Sequence, residues 1–275
     1  MTDLPLVILS LSALAYLAAF IFHLYSFLSV REKGHEGAWW LLRLGFLLST
    51  FYFASAAVES RFFVPVANLA GALAFFGWSL AFVYLVLLAR VQSQSFGLIL
   101  TPILVLLIAS ACLTLHEPAA SLPAKGNPLF SLHIVTAFFA YASFTISFSA
   151  GILYLIQNHE LKAKKAGTFY HKLPSLEELE KLIYQPMIWG ASLLVFAVAI
   201  GFAWSKSVYG EYWFLDAKTI ATIATVSAYF VILYLRVVSG IRAKQGALLS
   251  LIAFSLVLFS FLGTRLIEGS HHYLR

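Results

Sequence analysis

The chain has 275 residues, of which 61% are hydrophobic and only 11% charged. A soluble domain carries roughly 25% charged residues, so this composition excludes a water-facing surface over most of the chain and predicts an integral membrane protein. The formal net charge of +6 calls for no nucleic-acid partner, because polytopic proteins keep excess Lys and Arg in cytoplasmic loops. The single cysteine, Cys112, excludes an intramolecular disulfide, a CxxC redox motif and a thiolate metal cluster.

The N-terminal stretch lacks a basic leader and its apolar run exceeds the ~7–15 residues of a signal-peptide core, so it reads as a first membrane span. Spanning a bilayer takes about 20 apolar helical residues. By that measure the spans are Leu4–Val30, Trp39–Val58, Ala67–Ala89, Gly97–Leu115, His133–Gln157, Pro186–Ser205, Ala217–Val238 and Ala247–Leu262. The expected fold is all-α, with about eight transmembrane helices forming one polytopic domain over residues 1–275.

Cations cluster in alternate loops. Arg31 and Lys33 lie in the first, Arg90 in the third, and Lys162, Lys164, Lys165, Lys172 and Lys181 in the fifth. Arg236, Arg242 and Lys244 lie at the seventh, whereas the intervening loops hold only Arg61, Lys125 and Lys206. The positive-inside rule puts the odd loops in the cytoplasm and both termini outside, an N-out/C-out topology. In the fifth loop, Ser175 and Glu178 make a capping box. Leu176, Leu179, Leu182 and Ile183 form an apolar stripe behind it. This predicts a short amphipathic helix on the cytoplasmic surface, leading into the sixth span.

On this topology the outer face gathers His133, the aromatic loop AWSKSVYGEYWFLDAK and the tail EGSHHYLR with His271 and His272. Two imidazoles from separate elements can clamp haem iron from both faces, and Trp or Tyr rings can stack on a porphyrin. The aromatics also suit an interfacial belt, and a histidine at a helix end also suits a solvated cap. No hydrolytic motif, HExxH or P-loop is present. Few ionisable residues lie deep in the spans, which disfavours a transporter.

The stretch GFAWSKSVYGEYWFLDAK resembles the tryptophan-rich signature of the cytochrome c assembly family of CcsA, CcmC and HemX types. That signature reads G-x-x-W-A, then W-G-x-Y-W-x-W-D-P-K-E. Gly201, Trp204, Gly210, Tyr212, Trp213, Asp216 and Lys218 match it. Tyr209 and Leu215 replace two tryptophans, Ala217 the proline and Thr219 the glutamate. SLHIVTAFFAYASFTISFSAGILYLIQ resembles the family's span that begins with an external histidine. LGTRLIEGSHHY resembles its last span followed by G-x-H-x-Y. The resemblance covers most of residues 60–275.

The resemblance implies haem handling at the outer membrane surface. It implies a non-covalent b-type haem with His133 and His271 as axial ligands and His272 as the alternative to His271. Trp204, Tyr209, Tyr212, Trp213, Asp216 and Lys218 would line the cofactor. Trp213 would stack, Asp216 would cap the seventh span and Lys218 would meet a propionate. The implied setting is the bacterial inner membrane. The implied partners are CcsB-like assembly proteins and apocytochrome c, with haem presented to a lyase rather than a reaction catalysed by this chain alone. CcsA-type proteins carry a further histidine after the signature, where this chain has Arg236. Arg236, near the inner end of the seventh span, is expected to snorkel to anionic headgroups or to pair with a haem propionate at the cytoplasmic face. The thinned signature is closer to the HemX type, whose link is to haem-synthesis enzymes and the level of glutamyl-tRNA reductase.

Overall fold

The structure, a computed structural model, describes residues 4–29, 35–60, 66, 68–87, 94–115, 127–163, 172–210 and 217–263. It is all-helical over these residues. The helices are α1 Leu4–Leu28, α2 His35–Ser60, α3 Leu69–Leu87, α4 Gln94–Leu113, α5 Pro128–Lys162, α6 Leu176–Tyr209, α7 Ala217–Val238 and α8 Ala243–Leu258. A π-helical turn, Phe259–Gly263, continues α8. All eight are long and apolar enough to cross a membrane.

Helix α3 is the hub. Small residues at Ala70, Gly71, Ala72, Ala74, Gly77 and Ala81 let neighbours approach closely. It packs between α4 and α5 and also touches α2, with α1 beyond against α4 and α2, and with α6 and α8 beyond α5. Helix α7 lies at the edge against α8 and α6, and turns Ile220, Phe230, Val231, Tyr234 and Val237 outward. Outward apolar side chains are expected where hydrocarbon is the solvent.

Two differences from the sequence reading matter. The amphipathic segment is not a separate surface helix: α6 runs unbroken from Leu176 through Pro186 to Tyr209. Its stripe is core, with Leu179 and Ile183 fully buried and Leu182 buried, so the stripe faces protein rather than headgroups. The capping box is present, Glu178 N–H donating to Ser175 Oγ at 3.3 Å and Ser175 N–H to Glu178 Oε2 at 3.0 Å. Pro186 has no N–H, and Ser147 Oγ of α5 donates to the Ile183 carbonyl at 2.7 Å in the turn it disturbs.

The second difference concerns Arg236. It pairs with Glu180 of α6, sits 4.9 Å over the Tyr184 ring and donates to the Ile241 carbonyl at 2.9 Å. The guanidinium is thus engaged within the protein and ties the α7–α8 connection to α6, which corrects the snorkelling expectation.

Side-chain bonds also show which connections share a side. Lys172 Nζ donates to the carbonyls of Phe27 at 2.6 Å and Ser29 at 2.7 Å, while Ser95 Oγ donates to the Lys172 carbonyl at 2.7 Å. The ends of α1, α4 and the α5–α6 connection therefore meet on one side. At the other side Asn127 Nδ2 donates to Ser207 Oγ at 3.2 Å. Helix α1 has no basic residue in its own last turn, and its C-terminal carbonyls need donors. Lys172 supplies them from far along the chain. Lys172→Met, which keeps the stem and removes the ammonium, is expected to lower stability by about 2 kcal/mol. Thermal unfolding in detergent measures this, and an unchanged melting temperature would show the cap to be dispensable.

Candidate functional site

The candidate site lies where the N-terminal end of α5 meets the C-terminal end of α6. Asn127 and Pro128 begin α5 earlier than the sequence reading placed it. Asn127 adopts extended backbone and its Oδ1 accepts from Leu129 N–H at 2.9 Å, with proline at the first helical position. The cap puts His133 inside the helix rather than at its end. With a rise of 1.5 Å per residue, His133 sits about 9 Å in from the cap.

There His133 is half-buried and its Nδ1 lies 2.7 Å from the Ala197 carbonyl oxygen of α6. A carbonyl only accepts, so Nδ1 carries the proton and donates. The neutral ring then keeps its lone pair on Nε2. The approach depends on Gly201, one turn beyond Ala197. A Cβ at Gly201 would lie 2.9 Å from His133 Nδ1 and 3.0 Å from Cε1. Any side chain there would displace the ring from the carbonyl.

One turn further out, Trp204 packs against Phe130 of α5, ring centroids 5.1 Å apart at 45°, and meets Tyr209 edge-on at 6.0 Å. The Trp204 Nε1–H and the Ser205 hydroxyl are buried and have no hydrogen-bond partner. Helix α6 ends at Gly210, whose φ of 79° is left-handed and closes the helix with a bond to the Lys206 carbonyl. Lys218, in the first turn of α7, is exposed and within electrostatic reach of His133.

Of the residues singled out in the sequence, the structure thus brings His133, Trp204, Tyr209 and Lys218 to one end of the bundle. Tyr212, Trp213, Asp216, His271 and His272 lie outside the described residues. Among the described residues no group of three or more His, Cys, Asp or Glu could hold a metal ion. Asn127, Phe130, Ala197 and Ser205 escaped the sequence reading. The Asn-Pro pair is a recognisable cap-and-first-turn signal and could have revealed the true start of α5. His23, by contrast, is fully buried near the C-terminal end of α1, edge-on to Trp39 at 6.5 Å and against the bare face of Gly97.

A polytopic helical bundle with a tethered imidazole at one end is what the fold and site define. The family model described as Cytochrome C assembly protein matches residues 66–272, and the chain belongs to that family. It is 29% identical over 262 residues to "Protein HemX" of Brevibacillus brevis, covering 93% of this chain and 94% of that one. It is 30% identical over 250 residues to "Protein HemX" of Bacillus subtilis (strain 168), covering 90% of each. The "Cytochrome c biogenesis protein CcsA" of Porphyra purpurea is 23% identical, over 84% of this chain and 83% of that one. Among solved structures, "Cytochrome c Heme Lyase CcmF" superposes with a TM-score of 0.69 at 16% identity, over 95% of this chain. The likeness is one of fold, and this chain spans 47% of that chain's length.

The geometry around Gly201 can be checked without any ligand. NMR of isotope-labelled histidine is expected to show His133 as a single tautomer protonated at Nδ1 in the wild type. Gly201→Val is expected to give a tautomer mixture. The same single tautomer in both proteins would mean that the ring does not depend on the Ala197 carbonyl.

Proposed function

We propose that this protein holds haem at the outer face of the bacterial inner membrane, with His133 and His271 as the axial pair and His272 as the alternative to His271. The observation that carries the proposal is the tether of His133. An imidazole whose Nδ1–H is tied to a backbone carbonyl is oriented, restricted to one tautomer and made more basic at Nε2, which is how proteins prepare a metal-binding histidine. The residues present fit haem. The donor is a lone nitrogen ligand, without the acidic partners of a zinc or di-iron site. Aromatic rings stand beside it, and two buried hydrogen-bond donors lack acceptors.

In this reading Trp213 and Tyr212 stack on the ring system, Asp216 caps α7 and Lys218 faces a propionate. A non-covalent, b-type haem, when bound, would supply an iron centre for these imidazoles to ligate. The chain's own work is to orient His133, exclude water with aromatic rings and hold the cofactor for a partner. That partner is a CcsB-like assembly protein or apocytochrome c.

A second reading, a HemX-like membrane regulator acting on haem-synthesis enzymes, is favoured by the breadth of the HemX likeness. Those two relatives align over 90% or more of this chain, against 84% for the CcsA of Porphyra purpurea. The engagement of Arg236 by Glu180 argues against passage of haem along a relay of ligands in either reading, since a guanidinium offers iron no lone pair. Deleting the gene separates the two readings. Loss of c-type cytochromes supports delivery, and a changed level of glutamyl-tRNA reductase with normal cytochromes supports regulation.

The haem reading itself is tested on the purified protein. His133→Ala and His271→Ala are each expected to lower haem content at least about ten-fold, with partial recovery in imidazole, as read by the pyridine haemochrome assay. Wild-type haem content in both single variants and in the His271→Ala/His272→Ala double variant would refute the axial pair. Reporter fusions after Ser207 are expected to be active outside the cytoplasm, and cytoplasmic activity there would overturn the orientation.

A further inference from the structure

Many serine and threonine hydroxyls in these helices donate to a carbonyl one turn back in their own helix. Ser143, Thr145, Ser149 and Thr225 do so at 2.8 Å, and Ser192 at 2.9 Å. The habit is physical, since a hydroxyl in a low-dielectric interior has no water to bond and the helix offers a spare carbonyl lone pair. Ser205, like Ser26 and Ser79, departs from it. Its side chain is 8% exposed, yet its hydroxyl has no partner. The adjacent Trp204 Nε1–H, also buried, has none either. Its ring is held in place by Phe130 and Tyr209, so the N–H direction is set.

Two neighbouring buried donors without acceptors are costly to keep. Their place gives them a use. Ala197, Gly201 and Ser205 follow one another at four-residue intervals on the stripe of α6 that faces α5. His133 occupies the first two of these positions, and Ser205 is the next turn outward, about 6 Å along the helix. Trp204 lies three residues from Gly201 on the flank of the same stripe. Both donors therefore lie about one helical turn from the imidazole, toward the C-terminal end of α6. Lys206 follows Ser205 directly, Lys218 is in electrostatic reach of His133, and α6 has no acidic residue between Glu180 and Tyr209, while Glu211 and Asp216 lie in the sequence between the two lysines. Two neighbouring donors with a lysine next in the chain favour a carboxylate over a neutral carbonyl.

We propose that the Trp204 Nε1–H and the Ser205 hydroxyl form a carboxylate-binding pair that grips a propionate of the porphyrin whose iron His133 binds. This assignment rests on the haem reading above and names which part of the ligand α6 recognises. The signature pattern G-x-x-W-A has alanine where this chain has Ser205, so the hydroxyl half of the pair is a property of this chain.

The test is haemin titration of the purified protein in detergent, with haemin dimethyl ester as the uncharged comparator. The proteins are wild type, Ser205→Ala, Trp204→Phe, Ser205→Thr and His133→Ala. Ser205→Ala and Trp204→Phe are each expected to weaken haemin binding about ten-fold while changing ester binding little. The propionate bending mode in resonance Raman is expected to move in both, and Ser205→Thr is expected to retain the wild-type frequency. Unchanged haemin affinity and unchanged Raman spectra in Ser205→Ala and Trp204→Phe would overturn the pair. So would equal weakening for haemin and ester, which would signal lost packing. If the pair fails in this way while His133→Ala still loses haemin, the haem reading stands alone. If the wild type binds neither ligand, or His133→Ala binds haemin like the wild type, the haem reading itself falls.

Discussion

Antiparallel α5 and α6 touch along nearly their whole lengths, and the register of that seam decides what the His133 end of the protein can do. From the start of α5 onward the partners are Asn127 with Ser207, Phe130 with Trp204, His133 with Ala197 and Gly201, Phe144 with Gly190, and Ser147 with the Ile183 carbonyl. In hydrocarbon no hydrophobic effect draws two helices together, so small residues and interhelical hydrogen bonds must hold the register. Gly190 admits the Phe144 ring, where a Cβ would meet ring carbons at 2.6 and 2.8 Å. Phe144 in turn stacks on Tyr229 of α7, centroids 3.6 Å apart. A slip of one residue along this seam would separate the imidazole from its carbonyl and put a side chain where Gly201 leaves space. The inward packing and the outward site are thus one constraint.

The opposite end is held by charge. Lys172 closes the carbonyls of α1, and Arg236 joins Glu180, the Tyr184 ring and the Ile241 carbonyl. These contacts join α1 to the α5–α6 connection, and α6 to the α7–α8 connection. They use cations that a count of loop charges sees only as topology markers. The positive-inside pattern and intramolecular capping are compatible, because the same ammonium that disfavours translocation can also satisfy the end of a helix. With Arg236 engaged in this way and His23 enclosed at the far end of α1, the described part of the bundle offers no ladder of ligands from one side to the other.

The membrane class and the eight helices were legible in the sequence because apolar runs of this length have few other uses in a protein. The range of α7, Ala217–Val238, matches its predicted span at both ends. The predicted starts of α5 and α6 missed for an identifiable reason. Apolar counting stops where polar residues appear, but helices continue wherever caps and packing allow. Asn127 with Pro128 and the Ser175–Glu178 box set the true starts. His133 and Trp204 could be singled out from residue type and order. Ala197 and Ser205 could not, since one acts through its backbone and the other matters because a bond is missing, and neither fact is visible without the register of the seam. Tyr212, Trp213, Asp216, His271 and His272 remain assigned by resemblance to the signature and the terminal histidine motif of the family.

The central claim is that His133, oriented by the Ala197 carbonyl and the bare face of Gly201, ligates haem iron. Electron paramagnetic resonance of the ferric, haem-loaded protein tests it most directly. The account predicts a low-spin signal of bis-imidazole type in the wild type, and in His133→Ala a high-spin signal or no haem signal. An identical low-spin signal in both proteins, or no haem bound by the wild type, would contradict it.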